Sequence, residues 1–330
     1  MTRDPFDLAA LSPNASTNGV APMGDPFAVK QQTYYGQPLL KRPRWDWNVI
    51  TYLFMGGVMG GSAILVAIAD ENDDGDRKLA RNARYVAFVL AAANPAVLIS
   101  HLGRPERFHH MLRVVKFKSV MSMGVWGLIG FSVPATLAAV AQAARDGILP
   151  GWMRHLGPGW LTKSPMAVLG AFIAGYTGVL LSSTAIPVWA KGKRYIPAFS
   201  VCSGLAGACA LNAGLLALSS GTEKTRHRLE RLELVAALGE LGLLLAFRAD
   251  AGELGKPMFE GERGAKLRNV TMLGGIVAPA LLNLIPGNAK WKSLTASALA
   301  LAGGYVLRET LIESGKGSAD DPKAAARQPE

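Results

Sequence analysis

Long apolar runs, each close to twenty residues and separated by short charged clusters, constrain this chain more than any other feature. A hydrocarbon core about 30 Å thick needs about 20 helical residues to cross it. Eight runs meet or approach that length, near 48–69, 83–101, 120–144, 165–189, 198–219, 231–248, 269–286 and 292–309. Half of the 330 residues are hydrophobic and only 18% are charged. This predicts an all-α polytopic membrane protein of about eight transmembrane helices, an arrangement compatible with two four-helix bundles. It excludes a disordered chain and a disulfide-stapled secreted domain. Three regions follow: a tail with an interfacial lead-in (1–46), an integral membrane helical domain (47–310) and a charged, Ala/Pro-rich tail expected to be disordered (311–330). The first 46 residues hold no apolar signal core, so the first membrane helix is expected to direct insertion.

An even number of spans puts both termini on one side of the membrane. Lys and Arg then divide into 22 on the terminal side and 13 on the other. The positive-inside rule predicts a multi-pass protein of the cytoplasmic (inner) membrane with cytoplasmic termini. The net charge of +11 is read the same way, as helix-flanking charge. No aromatic-rich basic module accompanies it, so nucleic acid is not an expected partner.

Within the first run, YLFMGGVMGGSA places Gly56 with Gly60 and Gly57 with Gly61 in two GxxxG patterns. Small residues at that spacing let helix backbones approach closely. Cys202 and Cys209 are separated by about 10 Å along a helix axis, too far for a disulfide. Two thiols also fall short of the four that iron–sulfur clusters usually need. None of His101, His109, His110, His155 and His227 sits deep in an apolar run. Axial haem ligands belong within the helices of a membrane bundle. The expectation is therefore a chain with no haem, no iron–sulfur cluster, no other metal site and no complete catalytic site of its own.

Two further patterns carry chemistry. HLGRPERFHHMLRVVKFKS, residues 101–119, sets five basic residues against one acid between the second and third helices. It reads as a positive loop, a headgroup cap or a docking face, with Arg107, Arg113 and Lys116 as docking candidates. Glu233 and Glu240 lie seven apart, on one face of the sixth helix. A charge at the bilayer centre costs roughly 3 kcal/mol, which points these carboxyls inward and favours a proton path. At the terminal face, Asn48, His101 and Arg104 offer hydrogen bonds suited to a carbonyl headgroup.

The stretches YLFMGGVMGGSA, HLGRPERFHHMLRV, SVMSMGVW and GYTGVLLSSTAIPVWAKGKRYIPAFSVCSG resemble the NrfD-like family of polysulfide-reductase membrane subunits. The resemblance covers roughly residues 34–220. The lead-in YYGQPLLKRPRW is similar to members that accompany formate-dehydrogenase-type complexes. The resemblance implies an eight-helix subunit without haem. It also implies electron exchange between a membrane quinone and a four-cluster iron–sulfur ferredoxin-like subunit, and through that with a molybdopterin or similar catalytic subunit. Family members often carry Asp before LGRP, where this chain has His101; an imidazole there can still bond a quinone or move its proton.

On this reading Asn48, Tyr52, His101 and Arg104 are the headgroup candidates, and Tyr176 donates from deeper in the bundle. Glu233 and Glu240 form a proton route toward the opposite side. Two other classes compete: a secondary transporter built on broken helices, and a redox-silent anchor. The lack of a second buried ion pair argues against the transporter.

Overall fold

Described by a computed structural model over residues 40–69, 72–220, 222–285 and 290–326, the apolar runs become eight long helices. These are α1 (Trp47–Ile68), α2 (Asp74–Ser100), α3 (Val120–Arg145), α4 (Ser164–Ser182), α5 (Ile196–Ala217), α6 (Glu223–Ala251), α7 (Gly261–Leu284) and α8 (Lys290–Asp320). Six of them, α1 to α5 and α7, are long and apolar enough to cross a membrane. Helices α6 and α8 are 29 and 31 residues long and carry charged turns beyond their apolar stretches. No strand occurs among the described residues.

Contacts follow two four-helix rings. Helix α1 packs on α2 and α4, and α3 closes the ring between them; α5 packs on α6 and α8, and α7 closes against α8. The rings join where α1 and α4 meet α5. Accordingly 78% of the α1 window and 72% of the α5 window are buried, against 28% for α2 and 22% for α7, so α1 and α5 are the central helices. Two small-residue stripes make this possible. Gly60 abuts Gly170 of α4, whereas Gly57 and Gly61 abut Gly204 of α5. One helix thus meets two neighbours at backbone distance, each through its own GxxxG row.

Helix ends differ from the sequence expectation where polar residues continue a helix past the hydrocarbon. Asp73 caps α2 by accepting from the Gly75 and Asp76 amides, so α2 begins well before residue 83. Helix α4 stops at Ser182, and Pro187 opens a separate short helix. The largest correction concerns the C-terminus. The expected disordered tail (311–330) is helical as far as Asp320, and Ser314, Gly315, Lys316, Ser318 and Ala319 are buried. Its small residues fit beneath Trp189, which stacks on Trp45 at 5.0 Å. The Trp189 indole donates to the Leu311 carbonyl at 2.8 Å. Arg42 pairs with Asp320 at 3.4 Å and Lys316 with Asp46 at 3.6 Å, placing the start of α1 and the end of α8 on one face. Residues 1–39 of the expected tail and lead-in, and 327–330, lie outside the described residues.

At the opposite face, Asp146 ties α3 to α2. It accepts from the Tyr85 hydroxyl at 2.7 Å, Arg81 Nε at 2.8 Å and Gln142 Nε2 at 3.0 Å. Burial pushes the Asp146 carboxyl up, but these hydrogen bonds and the Arg81 charge outweigh it and hold it below the usual carboxylate value.

Candidate functional site

The quinone candidates from the sequence fall into two levels. At the rim, the Asn48 amide donates to Ser100 Oγ at 2.8 Å, joining the first turn of α1 to the last of α2. His101 caps α2 beside it and is half-buried, while Arg104 is exposed beyond the helix end. About 6 Å further in along α1, Tyr52 is buried, and it lies within electrostatic reach of the buried Tyr176 on α4. Tyr176 donates its hydroxyl to the Val120 carbonyl at 2.8 Å. It also lines a crevice of about 500 Å³ with Phe117, Met123, Phe172, Val179 and Pro197, at the junction of α3, α4 and α5.

One residue of this inner level escaped sequence reading. Asn94 of α2 is 1% exposed, and neither amide atom has a hydrogen-bond partner among the described residues. A methyl group on Gly56 would sit 3.4 Å from its amide nitrogen and 3.5 Å from Thr177. Only the small α1 surface at Gly56 leaves room for it. Asn94 and Pro95 both lie inside α2, as the apolar run 83–101 predicts. A buried amide left bare costs free energy, so Asn94 marks a place where an exchangeable partner is favoured.

The second ring gathers charge instead. Glu233 and Glu240 are both buried and line a cavity of about 20 Å³ with Ser203, Thr271 and Gly303, large enough for about one water. The wall opposite is the π-helical segment Leu267–Val277 of α7. There Thr271 donates to the Gly303 carbonyl at 3.0 Å, and Gly275 approaches Gly303 closely. Ser203 and Arg308 both lie within reach of the Glu240 carboxylate. Arg308 is 2% exposed; Nη2 donates to the Ser200 carbonyl at 3.2 Å, while Nε and Nη1 have no partner among the described residues. Arg308 is thus a buried cation near these carboxyls. An eighth run that ends at 309 sets Arg308 among the terminal-side charges; the longer α8 draws it into the interior.

Toward the opposite face the polar line continues from Glu233 to Glu230, which pairs with Arg226 at 3.5 Å. From Arg226 to Glu240 is about 21 Å along the helix axis. At the inner end, the Arg308 guanidinium rests against Gly57, the residue next to the one that shelters Asn94. The two rings thus present their polar interiors to adjacent glycines of α1.

The docking candidates Arg107, Arg113 and Lys116 are all exposed, in and after the 3-10 helix Pro105–Leu112 on the terminal face. No cluster of three or more His, Cys, Asp or Glu suited to a metal occurs among the described residues.

A match to known proteins bears on this arrangement. The family described as Polysulphide reductase, NrfD covers residues 40–317. The sequence is 27% identical over 230 residues to an NrfD homologue of Haemophilus influenzae, spanning 62% of this protein and 69% of that one. It is 27% identical over 225 residues to Escherichia coli NrfD, spanning 62% and 70%. With the C subunit of polysulfide reductase from Wolinella succinogenes it shares 25% over 301 residues, spanning 82% and 94%.

Proposed function

The chain belongs to the NrfD family of multi-pass membrane proteins, and from that premise we propose that it is the quinone-reactive membrane subunit of an oxidoreductase complex. In this reading it exchanges electrons between the membrane quinone pool and an iron–sulfur partner, which serves a molybdopterin or similar catalytic subunit. The termini and the partner lie on the cytoplasmic side, and Arg113 and Lys116 meet the partner there.

The observation that carries the reading is the inner level of the first ring. Tyr176 borders an apolar crevice wide enough for a prenylated ring, with Tyr52 and the bare amide of Asn94 deeper in the same ring. Quinone reduction takes up two electrons and two protons, and the partner supplies the electrons. The work left to this chain is to orient the ring and to deliver protons. Tyr176 exchanges its bond to the Val120 carbonyl for one to a quinone oxygen, and Asn94 donates from the α2 side. Asn48 and His101, at the rim, connect this level to water on the terminal face. Glu233 and Glu240 form part of a proton route on the opposite side of α1, with Glu230 and Arg226 at the entrance. The buried cation of Arg308 near Glu240 and the π segment in α7 also favour a second reading, in which ion movement through the second ring accompanies electron transfer.

Tyr176→Phe tests the proposal in the assembled complex. Quinone-dependent turnover should fall at least about tenfold, equivalent to about 1.4 kcal/mol, while reduction of a dye by the soluble subunits persists. A parallel fall in both activities makes Tyr176 an assembly residue. Unchanged quinone turnover removes the inner level as the site and favours a redox-silent anchor.

A further inference from the structure

A second crevice of nearly equal size, about 480 Å³, runs between α2 and α3. We propose that it is a binding site for an anionic phospholipid, with an acyl chain in the groove and the phosphate on Arg104 and Arg107.

The groove follows α3 from Val125 to Leu137, about 18 Å along the axis. That is close to the depth of one leaflet, roughly half of a 30 Å core. Its lining offers almost nothing polar. The two hydroxyls are Ser132, which donates to its own helix at the Leu128 carbonyl (2.7 Å), and Thr136. Neither Tyr52 nor Tyr176 borders it, so a quinone ring placed there meets no phenolic donor. The polar end of an occupant must lie at the mouth.

The mouth is built by Pro105–Leu112, a 3-10 helix. Three residues per turn eclipse positions i and i+3. One ridge then carries Pro105, Phe108 and Met111, and the last two line the groove. The adjacent ridge carries Arg107 and His110 and is continued by the flanking residues Arg104 and Arg113. An α-helix would have scattered these groups. Among the five basic residues of 101–119 stands a single acid, Glu106. An apolar slot one leaflet deep beneath a basic ridge matches the two halves of an anionic lipid, and basic clusters at a membrane face attract such lipids.

The test uses the whole chain purified in mild detergent. Added phosphatidylglycerol should raise its thermal transition by roughly 3 °C or more, and phosphatidylcholine with the same acyl chains should do less. The preference should vanish in R104Q/R107Q, whose changes are exposed and leave the helices intact. It should also vanish in Ile129→Trp, which fills the groove without touching the charges. Equal stabilisation by both lipids overturns the proposal, as does retention of the preference in either variant. A matching shift with inorganic phosphate alone makes the ridge a soluble-anion site instead. Loss of the partner subunit in R104Q/R107Q with the lipid preference intact assigns the ridge to docking.

Discussion

The two rings bury different kinds of polar group at their centres. The first holds phenols and an amide, Tyr52, Tyr176 and Asn94; the second holds Glu233, Glu240 and Arg308. A neutral group can wait in an apolar interior at modest cost and trade one hydrogen bond for another. A charge cannot wait alone, because its desolvation is several-fold larger. The first ring is thus suited to an exchangeable neutral ligand and the second to charges that stay in company. Helix α1 divides them with two consecutive glycines, so neither set needs a side chain of α1 between it and the other.

The largest test breaks the charged side. Arg308→Met removes the buried cation near Glu240, and an uncompensated buried charge costs up to about 3–5 kcal/mol. Thermal unfolding in detergent should show a loss of that order, and adding Glu240→Gln should recover much of it. An Arg308→Met protein as stable as the wild type means that the two groups do not act as a pair.

A smaller effect lies outside the membrane. Asp146→Asn removes the charge that accepts from Tyr85, Arg81 and Gln142, and charge-assisted bonds of this kind contribute roughly 1.5–3 kcal/mol. Because the folded carboxyl is held below its ordinary value, its contribution is complete above that value and is lost as pH falls through the folded one. The wild type should therefore lose stability on acidification below about pH 4 more steeply than Asp146→Asn. Identical acid profiles would show that the network contributes nothing.

The smallest stability change is expected on the neutral side. Asn94→Leu replaces an amide that forgoes both of its bonds, so the cost should stay within about 1 kcal/mol and its sign should favour the variant. Quinone-dependent turnover should nevertheless fall. A large destabilisation would show that Asn94 is bonded within the fold, and the contrast between the rings would weaken.

These contrasts were unevenly legible in the sequence. The apolar runs and the GxxxG rows gave the helices and their closest approach, because both follow from local spacing. The inward position of Glu233 and Glu240 was readable from the expense of charge in a bilayer. Arg308 was not, because the segment SGKGSADD after it has the composition of a disordered tail. What makes it helical is tertiary: Trp189 needs a small residue at Gly315, the Val188 amide donates to Ser318 Oγ, and no local pattern announces either contact. Asn94 was not readable, because only the packing of α2 against Gly56 and Thr177 shows that its amide is buried without a partner. Tyr176 was readable as the deeper headgroup candidate from its mid-helix place, whereas the inner position of Tyr52 depends on how far α1 projects, which hydropathy does not resolve.

The Trp45–Trp189 stack has a consequence in time. Ribosomes add about 5–20 residues per second, so Trp45 emerges on the order of ten to fifty seconds before the Leu311 carbonyl that fixes its partner ring. Throughout that interval Arg42 and Asp46 have neither Asp320 nor Lys316 to pair with. The earliest described segment to be synthesised is therefore among the last to be secured, and a polypeptide interrupted before α8 carries a terminal face that has not closed. A factor that distinguishes finished from unfinished copies of this protein has only to sense whether that indole is covered.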